Sequence, residues 1–269
     1  MGSALSSLLF EKSGTTVTLT INRPESRNPL GEEGDAELFE DAARRINADG
    51  DLRSAILTGA GPAFSAGGNL KAMREKAGAY SGSVSEIREG YRNGIHRMVR
   101  AIWNIEVPLI AAINGPAIGL GNDVACLADL RIAADSAIFG ATFLKIGLVP
   151  GDGGAWILPR VIGQARAAEL FFTAGTIDAQ TALAWGLVNK IAPAAQLMEE
   201  ARALAARIVR QPPGVLRMTK RLMRQAQSAD FEAVMESSAA MQALAHKTED
   251  HAEALAAFFE KRPPNFKGK

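Results

Sequence analysis

The 269-residue sequence predicts an α/β fold followed by a helical region. Three observations predict it. Short apolar runs alternate with helical-period segments over residues 1–192. Glycine-rich turns close two of those runs, and from about Pro193 strand signals give way to helix formers. Composition agrees: at 47% hydrophobic the chain can bury a large core, and 30 basic against 29 acidic residues leave a net charge of +1. That balance excludes a disordered chain and a strongly electrostatic nucleic-acid binder.

In chain order, Val17-Thr18-Leu19-Thr20-Ile21 is β-branched and bounded by Gly14 and Pro24, which predicts a strand. From Glu32 to about Ala48, Ala36, Leu38, Phe39, Ala42, Ala43 and Ile46 recur at helical spacing, which predicts an amphipathic helix closed near Gly50. Ser54 to Thr58, Pro108 to Ile113 and Leu130 to Ala134 are short apolar runs stopped by turn residues, as expected of strands buried on both faces. A polar helix is expected over about Glu86 to Asn104 and a small-residue helix within Gly119 to Ala128. Residues 193–269 read as consecutive helices that cover the core or pack on another subunit.

The single cysteine, Cys126, excludes an internal disulfide and a multi-thiolate metal site, so a reducing cytoplasmic setting is the expectation. No apolar run approaches the roughly 20 residues that span a bilayer, and no signal-like start is visible. Met1 to Ser6 fits the Met-Gly-x-x-x-Ser acylation pattern, which is too short to set a membrane expectation.

Two segments carry the chemistry. Gly59 to Lys71 and Ile113 to Asp123 each place a glycine-rich turn between an apolar strand and a helix. Such turns leave main-chain N–H groups unpaired and let a ligand approach the backbone. With a helix starting near Gly119, the Leu120 amide is a free first-turn donor, reinforced by the macrodipole, and Asp123 stands one turn along the same face. Two amides from separate loops beside a carboxylate can hold an oxyanion and move a proton.

Together, Phe64-Ser65-Ala66-Gly67-Gly68-Asn69-Leu70-Lys71, Ala112 to Gly121, Gly147 to Gly154 and Leu158-Pro159-Arg160 resemble the crotonase superfamily of enoyl-CoA hydratases and isomerases. Asn22-Arg23-Pro24 and Ala184 to Val188 extend the likeness over most of the chain. The resemblance implies a spiral of repeated ββα units, a C-terminal helical region that builds trimers or dimers of trimers, and an acyl-CoA thioester substrate, with coenzyme A part of the substrate and no separate cofactor or metal. It implies that two amides, carried over to Ala66 and Leu120, stabilise a thioester enolate. It places CoA and acyl contacts on Arg23, Arg27, Ala63, Gly67, Asn69, Leu70, Lys71, Gly119 and Phe143, and on Lys267 of a neighbouring chain.

The family's hydratases carry glutamates at the positions of Asp123 and Phe143. An aromatic at the second position removes one acid or base, so double-bond isomerisation by a single carboxylate, Asp123, is favoured over water addition. Asp152 is a possible displaced second acid; some family isomerases place an aspartate one residue earlier, at Gly151. The acyl pocket is expected between Ala72 and Arg97.

Three other readings compete. Ala63-Phe64-Ser65-Ala66-Gly67 approaches a hydrolase nucleophile elbow, with His246 or His251 as partner, but both histidines fall in the helix-rich tail. Gly119 to Val124 is a poor dinucleotide fingerprint because Val124 occupies the third small position. A non-catalytic RNA-binding crotonase-like chain is disfavoured by the near-neutral charge. Neither nucleic acid nor membrane is an expected partner.

Overall fold

A computed structural model describes residues 6–269; the acylation pattern at Met1 to Ser6 lies largely outside the described residues. A six-stranded sheet runs in the order β1 (Leu8–Ser13), β2 (Thr16–Ile21), β4 (Ser54–Gly59), β6 (Leu109–Ile113), β8 (Leu130–Ala134), β11 (Lys190–Ala192). The β1–β2 hairpin is antiparallel and every other neighbour is parallel.

Each central strand leads into a short strand of a second layer and then a helix. β2 leads to β3 (Pro29–Leu30) and α1 (Asp35–Ala48), and β4 leads to β5 (Gly67–Gly68) and α2 (Leu70–Glu75). After α2 come α3 (Val84–Asn93) and α4 (Ile95–Trp103). β6 leads to β7 (Ala117–Ile118) and α5 (Leu120–Leu127), and β8 to β9 (Ile138–Gly140), followed by α6 (Gly154–Ile162), α7 (Gln164–Thr173), β10 (Thr176–Asp178) and α8 (Ala179–Ala184). β3 pairs with β5, and β7 with β9, both in parallel. This is the expected spiral of ββα units.

The central strands are buried on both faces, which explains their unbroken apolar runs. On one face Ala55, Leu57, Leu109, Ala111, Ile113 and Ala133 pack into the main core, which includes Phe39, Met98, Val124 and Leu158. On the other, Ile56, Ile110, Ala112, Ile132 and Ala134 pack against Leu197, Ala201 and Ala205 of α9 (Leu197–Ile208). The period of two divides each strand between the two cores.

One boundary differs from the sequence expectation. The helix over 86–104 is two helices, because Gly94 takes φ −112° and ψ −93° between α3 and α4. Past Pro193, α9 covers one face of the sheet. Beyond it lie α10 (Pro213–Gln225), α11 (Phe231–His246) and α12 (Glu249–Glu260). α11 buries no residue, and Phe231, Leu244, Phe258 and Phe259 stand exposed on α11 and α12.

Candidate active site

Two asparagines build the first glycine-rich turn. Asn28, fully buried in a left-handed conformation (φ 56°), accepts from the Arg23 amide at 2.8 Å and donates to the carbonyls of Ala60 (2.8 Å) and Ala63 (2.7 Å). Asn114, just past β6, accepts from the Gly59 amide at 3.1 Å and donates to the carbonyls of Gly61 (2.9 Å) and Ala63 (3.2 Å). The turn after β4 is thus tied to the turn after β6. The Ser65 amide donates to Pro116 and its carbonyl accepts from Ile118, which lays the two loops side by side. Gly67 (φ 92°) permits this approach, for a Cβ there would stand 2.6 Å from the Ile118 carbonyl oxygen and 3.5 Å from the Leu120 nitrogen.

These loops and the segment behind them enclose a cavity of about 230 Å³. Ala66, Gly67, Gly68, Gly119 and Leu120 form its main-chain wall; Met73, Tyr80, Tyr91 and Ile95 bring in the region where the acyl pocket was expected. Phe143 and Asp152 close it from the other side. Among the described residues, none after Asp152 lines it, so in a single chain residues 193–269 do not cover the site. Their first helix covers the opposite face of the sheet.

Leu120 is the first residue of α5, so its N–H has no intrahelical acceptor and lies at the positive end of the helix dipole. Ala66 is the other donor that the resemblance implied. It lines the cavity, but its amide donates to the Arg27 carbonyl at 2.9 Å, because Arg27 turns left-handed (φ 62°) and aims that oxygen across the loop. The neighbouring Gly68 N–H has no partner outside the two-residue β3–β5 ladder.

The carboxylates also differ from expectation. Asp123 is 1% exposed and does not line the cavity, and among the described residues neither of its oxygens makes a well-formed hydrogen bond. Burial and the nearby Asp152 charge push its pKa well above the ordinary carboxylate range; the Gly154 amide and Asn122 oppose this weakly. Gly154 packs its Cα onto the carboxyl group so closely that a side chain there would overlap it. Asp152 does line the cavity; burial raises it to about 6, with a small opposing effect from His96. The site therefore holds two interacting carboxyl groups instead of one, and the one facing the cavity is Asp152.

Of the expected binding residues, Gly67, Leu70, Gly119 and Phe143 line the cavity. Ala63 does not: it is buried, and its carbonyl holds both asparagines. Asn69 is committed to capping α2 and to Glu32, at 3.0 and 2.7 Å. The Arg23 guanidinium makes a two-pronged pair with buried Asp35 (2.6 and 3.1 Å) and a bond to the Pro29 carbonyl. Arg27 and Lys71 are exposed, and neither has an ion-pair partner among the described residues. Lys267 sits with Glu249, Asp250, Glu253 and Arg262 in a separate cluster of this chain.

Ser65 is fully buried, with its hydroxyl accepting from the Gly67 amide, while His246 and His251 contact each other on the surface. The hydrolase reading has no triad. A larger groove of about 620 Å³ between α9 and α10 centres on the Lys220–Asp129–Arg224 ion cluster, whose charges already face one another. Among the described residues no helix is long and apolar enough to cross a membrane.

A family model described as enoyl-CoA hydratase/isomerase matches residues 11–269. The chain is 34% identical to the 1,2-epoxyphenylacetyl-CoA isomerase of Escherichia coli K12, over 94% of this chain and 95% of that protein. It is also 34% identical to the short-chain-enoyl-CoA hydratase of Clostridium acetobutylicum, over 96% of each. A crystal structure of enoyl-CoA hydratase from Bacillus anthracis superposes with a TM-score of 0.91 at 32% identity, covering 98% of this chain and 100% of that one.

Proposed function

The chain belongs to the enoyl-CoA hydratase/isomerase family and is an enzyme of that family, and from that premise we propose that it moves a proton along an acyl-CoA thioester whose carbonyl oxygen is held by the amides of Leu120 and Gly68. The observation that carries this reading is the convergence of a free helix-start amide, the Gly68 backbone and the Asp152 carboxyl on one cavity. A parallel ladder engages alternate amides of a strand. Pro29 has no N–H to give, so the β3–β5 register uses the amides of residues 67 and 69 and leaves that of Gly68 pointing outward. Gly68 thus takes the part expected of Ala66.

Enolate formation puts negative charge on the thioester oxygen, and preorganised amides stabilise that charge more than the neutral carbonyl. Asp152, half ionised near pH 6, is the base that removes a proton beside the carbonyl and returns it further along the chain. Burial and the neighbouring Asp152 charge favour the protonated form of Asp123, so the two carboxyl groups titrate as a coupled pair. Phe143 makes the wall beside Gly119 apolar: its ring lies 3.8 Å from where a Gly119 Cβ would stand. That wall disfavours a bound water and favours double-bond migration.

The paired carboxyl groups support a second reading, water addition, in which one orients water and the other manages the α-proton. Incubation with 2-enoyl- and 3-enoyl-CoA thioesters, scoring hydroxyacyl product and migrated double bond separately, tests both. Migration without hydration is expected; hydration as the faster process overturns the isomerase reading. Arg27 and Lys71 are the proposed phosphate contacts, with Lys267 contributed by a second copy. The exposed aromatic residues of α11 and α12 support assembly into a trimer or a dimer of trimers, which sedimentation would measure.

A further inference from the structure

One polar atom in the acyl end of the cavity has no part in this proton chemistry. Tyr80 Oη is buried without a hydrogen-bond partner among the described residues, although Tyr80 lines the cavity. A buried unpaired hydroxyl is unfavourable, and phenylalanine would fill nearly the same space without that cost. The ring is held in place: it meets Tyr91 edge-on at 6.1 Å, and Tyr91 meets His96 at 6.2 Å. His96 Nε2 lies 2.8 Å from the Gly151 carbonyl oxygen, next to Asp152. Oη lies beside Gly68, 3.4 Å from where a Cβ on that residue would stand. The wall it shares with Leu70, Met73, Leu148 and Val149 is largely apolar, and the Asp152 and Glu32 carboxyl groups act on the phenol only through space. Burial pushes the phenol above its ordinary range, which keeps it a donor.

We propose that Tyr80 is a specificity-determining residue whose hydroxyl donates to an oxygen carried by the acyl group, so that the substrate class is an oxygenated acyl-CoA thioester, hydroxy-, oxo- or epoxy-substituted a few bonds from the carbonyl. The inference rests on the CoA-thioester reading and narrows it. In an apolar pocket a plain acyl chain leaves Oη unpaired, whereas an oxygen substituent satisfies it. A site that hydrogen-bonds a substrate group discriminates against the analogue lacking it for this reason.

Titration calorimetry of the wild-type protein and Tyr80→Phe with butanoyl-CoA, 4-hydroxybutanoyl-CoA and 3-oxobutanoyl-CoA tests it. Wild type is expected to prefer at least one oxygenated thioester by about 5- to 10-fold, as one net hydrogen bond supplies, and Tyr80→Phe to erase that preference. A preference that survives in Tyr80→Phe, or no preference in the wild type, overturns the inference. If the variant fails to fold, the presence or absence of the wild-type preference still decides. Failure of every thioester to bind wild type would instead refute the CoA-thioester reading itself.

Discussion

Replacing Asp152 with asparagine is expected to make the protein inactive and more stable at once. Asp152 is 7% exposed, and burial raises its pKa from 3.8 to about 6. Below pH 3.8 the group is protonated in both folded and unfolded chains, so it has no effect on stability there. As pH rises, the unfolded chain loses the proton first while the fold retains it; the folded state is penalised progressively, and the full cost is reached above about pH 6. At about 1.36 kcal/mol per pH unit, the interval between 3.8 and about 6 corresponds to about 3 kcal/mol at pH 7. Asparagine removes this cost but buries an amide, so the net gain is about 1–3 kcal/mol. Thermal melts of both proteins from pH 3.5 to 7.5 measure it: the variant's melting temperature should rise relative to wild type as pH increases from 3.5, and exceed it at pH 7. A base with a pKa near 6 also requires that wild-type kcat/KM rise about fivefold between pH 5 and 6, level off above pH 7, and fall about 10²–10⁴-fold in the variant. A difference in melting temperature that does not vary with pH, or a variant with wild-type activity, would refute the assignment.

Leu120→Pro deletes one cavity amide at a helix position that tolerates proline, so kcat should fall about 10²–10³-fold with the circular dichroism spectrum retained; near-normal kcat would remove that amide from the mechanism. Gly67→Ala places a Cβ 2.6 Å from the Ile118 oxygen at φ 92°, and should cost more than about 1–3 kcal/mol in denaturant unfolding and reduce thioester binding. Arg23→Ala breaks the pair with Asp35, which is 2% exposed, so unfolding should cost about 3–5 kcal/mol. KM for a CoA thioester should stay within about twofold, whereas Lys71→Ala should raise KM and weaken its salt dependence. The reverse pattern would return Arg23 to the binding site.

The strand and helix pattern was legible because burial imposes a period: two along the central strands, divided between the two cores, and 3.6 along α1. Gly94 was harder to read, since a glycine inside a polar helical stretch looks the same whether the helix continues or breaks. The cavity was legible as two glycine-rich turns of matched length, and Leu120 followed from helix geometry alone, as the first residue after the turn always has a free amide. Ala66 was not legible in this way. Its amide is claimed by a carbonyl that points at it only because Arg27, 39 residues earlier in the chain, is left-handed. Tyr80 lay in a polar segment with no pattern, and its role depends on an absent neighbour, which no local motif records.

From residue order alone came the α/β layering, the two loops that converge, the first-turn donor at Leu120 and the family to which the chain belongs, because these follow from short-range periodicity and local backbone chemistry. Tertiary structure alone decided that Asp152 lines the cavity, that Asp123 is buried from solvent, and that Arg23, Asn69 and Ala63 are already bonded within the fold. Protonation and the availability of donors are set by burial and by partners distant in sequence, and those exist only once the chain has closed on itself.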